Sequence, residues 1–154
     1  MKYTVACSET PNVRHGPIFT EMGYQFAKLG GVLVTQGQGD KLVEWFRQGA
    51  RESGGTVVLL TDNTPPNDQN DDKIKELLPA LRMYPDHWEE YKDDLRKAYT
   101  LLSYGIDRVY GWLGTNYSPL TDLAVAMGIS VVDFSNPETL KRAEDFTMDK
   151  SLQF

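Results

Sequence analysis

Cysteine is nearly absent from this chain, with Cys7 alone in 154 residues, so neither an internal disulfide nor a cysteine-based zinc site can form. Histidine is almost as scarce. His15 and His87 are the only two, too few for a histidine metal cluster, and no metal site is expected. No stretch approaches the roughly 18 consecutive apolar residues of a membrane span, so no membrane partner is expected. Positive charge is also short. Sixteen Lys and Arg stand against 22 Asp and Glu, a net charge of -6, with a sequence pI near 4.9. A general nucleic-acid surface, whose affinity comes from cations neutralising phosphates, is therefore disfavoured, although a few focused cations can still build a local basic pocket. The opening Lys2-Tyr3-Thr4-Val5-Ala6-Cys7 runs straight into a strand pattern without the features of a secretory signal, and cytoplasmic residence is the expectation. Within that apolar strand Cys7 reads as an inert core thiol rather than a nucleophile. What is present in quantity, 40% hydrophobic and 25% charged residues, is the composition of a globular domain, and the length fits one domain over 1–154.

The most informative stretch is Gly31-Val32-Leu33-Val34-Thr35-Gln36-Gly37-Gln38-Gly39-Asp40, an apolar β-branched run that spills into a glycine-spaced turn and then a helical pattern. Gly37 and Gly39 lack a Cβ, so the backbone can turn tightly and approach a ligand. Asp40 can cap a helix whose free N–H groups and dipole favour an anion. The turn is either a phosphate cradle or only a tight strand-to-helix connection. It is not the strict G-x-G-x-x-G fingerprint, since Val43 stands where a third glycine would, and Asp40 repels a phosphate unless it faces away.

Along the chain, Pro17 opens a helix carrying Ile18, Met22, Phe26 and Leu29, stopped by Gly30-Gly31. Strand two is Val32 to Thr35. Leu42, Val43, Phe46 and Ala50 mark a second amphipathic helix ended by Ser53-Gly54-Gly55, and Thr56 to Leu60 reads as a third buried strand. Two successive strand-helix-strand units with short glycine connections imply an α/β protein with a right-handed parallel sheet covered by helices. Thr61 to Asp72 is polar and proline-broken, either a lid or a surface excursion. Lys73 to Leu78 forms a short helix halted by Pro79, and a longer one begins near Pro85 with Trp88, Tyr91, Leu95, Ala98 and Leu102 on one face, a stripe suited to core or subunit interface. Arg108 to Leu113 and Ile129 to Phe134 supply strands four and five, with a helix from Leu120 to Met127 between them. A last helix runs from Pro137 to about Phe146, and the tail from Thr147 is expected to fray.

In an open parallel sheet, ligands bind beyond the carboxyl ends of the strands. That rule selects the loops Ser8 to Gly16, Gln36 to Asp40, Thr61 onward and Gly114 to Ser118. Ser8 and Thr115 can donate hydroxyls there, Arg14 can chelate a phosphate, and the backbone around Gly37 and Gly114 can complete a cradle. A loop arginine can equally stay solvated.

These residues resemble the SLOG superfamily of Rossmann-like nucleotide-binding proteins, which includes the LOG cytokinin-activating phosphoribohydrolases and the DprA recombination mediators. The resemblance rests on the opening strand ending at Ser8, on Leu29 to Gly39, and on Gln48-Gly49-Ala50 followed by Gly54-Gly55 and a strand. It implies a Rossmann-like parallel sheet of about five strands with helices on both faces, and ligand contacts from Gly37, Gln38 and Gly39. Further on, Leu95-Arg96-Lys97 resembles the Arg-Lys step on the helix before the LOG catalytic loop, which makes Arg96 a candidate catalytic residue. Val109 to Thr115 is similar to the LOG strand leading into a Gly-Thr turn, but the LOG glutamate that assists cleavage of base from ribose 5-phosphate has no counterpart after Gly114-Thr115. Asp122 is the nearest carboxylate. It either stabilises an oxocarbenium-like state or complements a helix dipole.

Two functions follow as expectations. One is a nucleotide or nucleoside N-glycosidase using Arg14 and Arg96 for phosphate and Asp122, or else Glu21, as the acid. The other is a non-catalytic module that senses or sequesters a nucleotide, or a DprA-like accessory protein. Loss of the glutamate favours the second, and the acidic pI weighs against DNA. No cofactor is expected, and the aromatic helix together with the resemblance implies a homodimer.

Overall fold

The computed structural model describes residues 1–36, 40–60, 68–81, 88–116, 118–149 and 154. Five strands form the sheet: β1 (Lys2–Cys7), β2 (Val32–Gln36), β3 (Thr56–Leu60), β4 (Arg108–Trp112) and β5 (Ser130–Asp133). All pair in parallel, in the order β3-β2-β1-β4-β5. The chain thus winds outward from β1 to β3, then crosses back to place β4 on the other side of β1. Connections diverge between β1 and β4, the position at which open α/β sheets bind ligands.

Side-chain alternation along β1 sorts the two layers of helices. Tyr3 and Val5 point to one face, where α1 (Gly16–Lys28), α2 (Lys41–Glu52) and α6 (Pro137–Met148) bury an aromatic core. There the Tyr3 ring lies 5.2 Å from Phe26 and 5.7 Å from Tyr110, and Phe19 lies 5.0 Å from Phe134. Ala6 points to the opposite face and joins an aliphatic cluster with α3 (Asp71–Leu77), α4 (Trp88–Leu102) and α5 (Pro119–Ala126). Helices on both faces of a five-stranded parallel sheet are the architecture expected from the sequence.

Glycine allows α1 and α2 to touch backbone to backbone. A Cβ on Gly49 would stand 1.9 Å from the Thr20 carbonyl oxygen, and one on Gly23 would stand 2.4 Å from that of Phe46. Gly49 of the Gln48-Gly49-Ala50 step is thus a packing glycine. The α4 stripe is largely core of the same chain. Leu95, Ala98, Leu101 and Leu102 are buried, with Trp88 and Tyr91 packed beside them.

Several element boundaries differ from expectation by one or two residues, and three of them have a specific cause. α3 starts at Asp71, two residues before the expected Lys73, because Asp71 and Asp72 favour a helix N-terminus and belong to its first turn. β4 ends at Trp112, and the Leu113 N–H turns to the Asp133 carboxylate at 3.1 Å instead of a strand partner. At the other end, α6 continues to Met148, two residues past the expected end, and Phe154 packs on Tyr110, Phe134 and Phe146, while residues 150–153 of the tail lie outside the described residues. Residues 61–67 of the polar loop, the helix start near Pro85, and Tyr117 lie outside the described residues.

Candidate functional site

The chain around β1 shapes a cleft at the carboxyl end of the sheet. Its floor is the Thr4 to Cys7 backbone, and it is bounded by Thr35 and Gln36 of β2, by α4 through Lys97 and Leu101, and by Ser118 and Leu120 where α5 begins. It encloses about 350 Å³, within the range of roughly 300–1,000 Å³ for small-molecule sites. A second hollow of about 310 Å³ shares Gln36, Lys97, Ser118 and Leu120 and extends the cleft along α4 to Asp94. Gln36 braces the rim by donating from Nε2 to the Lys97 carbonyl at 2.9 Å.

Local rules fix the polar groups around this space. Asp40 caps α2, its Oδ1 accepting the Val43 N–H at 3.1 Å, and the residue is part of the cleft lining. Burial lifts the Asp40 carboxyl above the ordinary aspartate range, opposed by the amides it accepts from. Ser118 caps α5 in a reciprocal box. Its Oγ accepts the Thr121 N–H at 3.2 Å while Thr121 Oγ1 accepts the Ser118 N–H at 3.1 Å. At the floor, Thr4 is 1% exposed, and its Oγ1 has no hydrogen-bond partner.

Cys7 is held as a thiol. Burial and the nearby Asp40 charge push its pKa up to about 12, and Sγ donates to the Glu9 carbonyl at 2.8 Å. Cys7 is half-buried and lines the cleft, where the sequence placed a core thiol.

The turn after β4 is densely tied. Gly114, at φ +61°, gives its N–H to Ser135 Oγ at 3.0 Å, and Ser135 Oγ in turn donates to Asp133 Oδ1 at 2.7 Å. The Thr115 N–H points to Glu9 Oε1 at 3.4 Å, and the Asn116 N–H closes onto the Leu113 carbonyl at 3.0 Å. Glu9 sits so close that a Cβ on Gly114 would fall 2.0 Å from its Oε2. A chain carboxylate therefore occupies the turn that sequence reasoning assigned to a ligand anion.

The other expected residues are distributed as follows. Ser8 joins β1 to β4, giving its N–H to the Trp112 carbonyl at 3.0 Å, and its buried Oγ has no hydrogen-bond partner. Arg14 is exposed on a short 3-10 turn, with Nε 3.4 Å from His15 Nε2. His15 itself is buried against Trp112 in a stacked pair, and burial lowers its pKa, which favours a neutral ring. Arg96 turns from the cleft to Asp71, donating from Nε at 2.8 Å and from Nη2 at 2.6 Å. Asp122 is 4% exposed in the first turn of α5 and is not among the residues lining the cleft. Glu21 accepts from Gln25 Nε2 at 2.7 Å on α1, on the aromatic side of the sheet. Gly37, Gln38 and Gly39 lie outside the described residues.

Cleft residues given no ligand role from the sequence include Gln36, Lys97 and Thr4. Among the described residues, Lys97 is the cation on the cleft, one position beyond Arg96 and so rotated by about 100° on the helix. Glu9 lies in the very loop selected after β1, where a carboxylate next to Ser8 was the available signal. Thr4 carried none, because a threonine inside a strand is unremarkable in sequence. Among the described residues, no cluster of His, Cys, Asp and Glu could hold a metal ion, and no helix is long and apolar enough to cross a membrane.

No protein-family model and no curated protein sequence matches this chain. Solved structures do. TM1055, a structural-genomics target, is similar over 84% of this chain and 71% of its own, with 22% identity and a TM-score of 0.52. The molybdenum cofactor carrier protein of Chlamydomonas reinhardtii is similar over 98% of this chain and 86% of its own, with 18% identity and a TM-score of 0.55. A further structure of that carrier gives 17% identity and a TM-score of 0.51, covering 98% of this chain and 85% of its own. At these identities the likeness speaks to architecture alone, and the chain has a Rossmann-like α/β fold.

Proposed function

We propose that this chain binds a nucleoside- or nucleotide-class small molecule in the cleft between α4 and α5 and does not cleave it. The observation that carries this reading is the cleft itself, placed at the carboxyl ends of β1 and β2 with an apolar wall of Leu101 and Leu120. A planar heterocycle fits against such a wall, while Gln36, Lys97 and Ser118 supply the few polar contacts that fix orientation. The Lys97 ammonium serves a ring carbonyl, a sugar hydroxyl or a phosphate alike.

Binding without chemistry is supported by what stands away from the cleft. N-glycosidic cleavage needs a carboxylate beside the anomeric carbon and an acid for the departing base. Asp122 is not on the cleft, and both Arg96 contacts to Asp71 tie it to α3 instead. Asp40 lines the space, but its carboxylate is engaged with the first turn of α2. One structural neighbour is named as a cofactor carrier, and carriage is a function of the same non-catalytic kind.

Calorimetric titration with the four common ribonucleosides and their 5′-monophosphates, with chromatography for free base, tests the reading. Saturable one-site binding by at least one compound is expected, with no base released, and Leu120→Trp should abolish it by filling the cleft. Failure of all eight to bind overturns the proposal. Steady release of free base would replace it with the N-glycosidase reading.

A further inference from the structure

The seam between β1 and β2 is open over most of its length. β1 pairs with β4 from Tyr3 opposite Arg108 to Cys7 opposite Trp112, and β2 pairs with β3 from Val32 opposite Thr56 to Gln36 opposite Leu60. Between β1 and β2 the register joins Lys2 to Val32 and Tyr3 to Leu33, and stops there. Each strand thus keeps its outer neighbour to the end. The last residues of β2 are also held by helices. Thr35 Oγ1 accepts from Arg47 Nη2 on α2 at 3.1 Å, and Gln36 Nε2 donates to the Lys97 carbonyl on α4 at 2.9 Å.

The cleft occupies this seam. It takes Thr4 to Cys7 from one strand and Thr35 and Gln36 from the other, and its walls come from both helical layers, Val43 of α2 on the aromatic side and Leu101 of α4 on the aliphatic side. A continuous sheet keeps its two covering layers apart, so the space passes between the strands.

The direction of the backbone decides what faces it. In a parallel strand the N–H and C=O of one residue face the same neighbour, and those of the next residue face the other. The Lys2 carbonyl takes the Asp107 N–H at 2.8 Å and the Ser8 N–H goes to the Trp112 carbonyl at 3.0 Å, both on the β4 side, whereas the Met1 carbonyl takes the Val32 N–H of β2 at 2.9 Å. Val5, in step with Met1 and Tyr3, therefore faces β2 beyond the point where the register stops. Among the described residues, no β2 group bonds to it. The Val5 side chain belongs to the aromatic core, so what the residue turns to the seam is a main-chain donor and acceptor side by side. Thr4 adds a side-chain group to the same floor, its Oγ1 buried with no hydrogen-bond partner. Buried main-chain groups are nearly always paired in folded proteins, and here the ladder leaves that pairing to whatever enters the cleft.

We infer that the Val5 main chain reads the edge of the bound base in the open seam, its N–H donating to a carbonyl oxygen or ring nitrogen and its C=O accepting from the neighbouring ring N–H or amino group. This rests on the binding reading above and deepens it. Each common base carries such an edge, an N–H beside a carbonyl in guanine and uracil and an amino group beside a ring nitrogen in adenine and cytosine. The ligand then takes the place that Val34 would hold in a closed ladder, and a base whose edge donor is blocked leaves the Val5 carbonyl without a partner.

The test has two arms on the unaltered chain. Amide hydrogen exchange, followed residue by residue by NMR, reads the seam directly. In the free protein the Val5 amide should exchange about tenfold or more faster than those of Tyr3 and Ala6, which face paired strands, and it should slow by a similar factor once the cleft is saturated with the ribonucleoside or monophosphate that binds. Calorimetry then compares that compound with the analogue whose edge donor is methylated, in the same phosphorylation state: N6,N6-dimethyladenosine, N1-methylguanosine, N4,N4-dimethylcytidine or N3-methyluridine. The analogue should bind about tenfold or more weakly, since a site built to hydrogen-bond a group rejects the ligand lacking it. A Val5 amide as slow as Tyr3 in the free protein means a closed seam and overturns the inference. So does a Val5 amide that stays fast in the complex, or a methylated analogue that binds as tightly as its parent, and each of these leaves binding in the cleft intact. Absence of binding by all four ribonucleosides and their monophosphates takes down both.

Discussion

Asp71 receives Arg96 through two guanidinium nitrogens, at 2.8 and 2.6 Å, and so pins the first turn of α3 to the middle of α4. The Trp88 ring lies beneath, with the Arg96 guanidinium 5.9 Å and the Lys75 ammonium 5.1 Å from its centre. The bond to Arg96 holds the Asp71 carboxyl below its ordinary value of 3.8. A depressed carboxyl contributes stability above its unfolded pKa and loses it as pH falls through the folded one. The contribution should thus be intact at neutral pH and be lost progressively as pH falls from about 3.8 through the lower folded value. Asp71→Asn should lower the melting temperature at pH 7 and lower it by less at pH 3. An equal loss at both would mean the pair is not acting as an ion pair.

Gly49 is the tightest point between α1 and α2, where an added methyl meets the Thr20 carbonyl. Gly49→Ala improves helix propensity by up to about 1 kcal/mol, but the clash with backbone outweighs this. A net loss of about 3 kcal/mol is expected by urea denaturation. A neutral or stabilising outcome would show that the helices do not pack this closely.

Cys7, with its pKa pushed up to about 12, should resist thiol reagents. At pH 8 only about one thiol in ten thousand is ionised on that value. Labelling should be slow in the native protein and become fast on unfolding in urea. Asp40→Asn removes a charge that holds the thiol protonated and should quicken native labelling. Fast labelling of the folded protein at pH 8 would contradict this environment.

Thr4 buries a hydroxyl without a partner, a condition that costs roughly 1–3 kcal/mol. Thr4→Val keeps the shape and removes the cost, so the free protein should gain about 1 kcal/mol in urea denaturation with an unchanged slope. A loss of stability would show that the hydroxyl is hydrogen-bonded after all.

The fold was legible because strand and helix signals are local. The alternation from Tyr3 to Ala6, the cap at Asp40 and the glycine stops of the first two helices each sit within one element. The site was legible only as a set of loops. Arg96 and Lys97 are adjacent in sequence, yet a single helical step sends one to Asp71 and the other to the cleft. Asp71 lies 25 residues from Arg96, inside a stretch whose polarity reads as loop. Glu9 meets Thr115 across 106 residues, a pairing set by the order of β1 and β4 in the sheet and by no nearby motif. Asp122 shows the same limit in reverse. Its first-turn position was readable, but its separation from the cleft lining follows from how α5 lies on the sheet.

The most direct measurement of the central claim is an amide chemical-shift titration of isotope-labelled protein with whichever of the four ribonucleosides or their 5′-monophosphates binds. The account expects saturable shifts at Gln36, Lys97, Leu101, Ser118 and Leu120, with Tyr24 on α1 and Glu144 on α6 unmoved. Shifts clustered on the α1–α6 face, or no saturable shift with any of the eight, would contradict it.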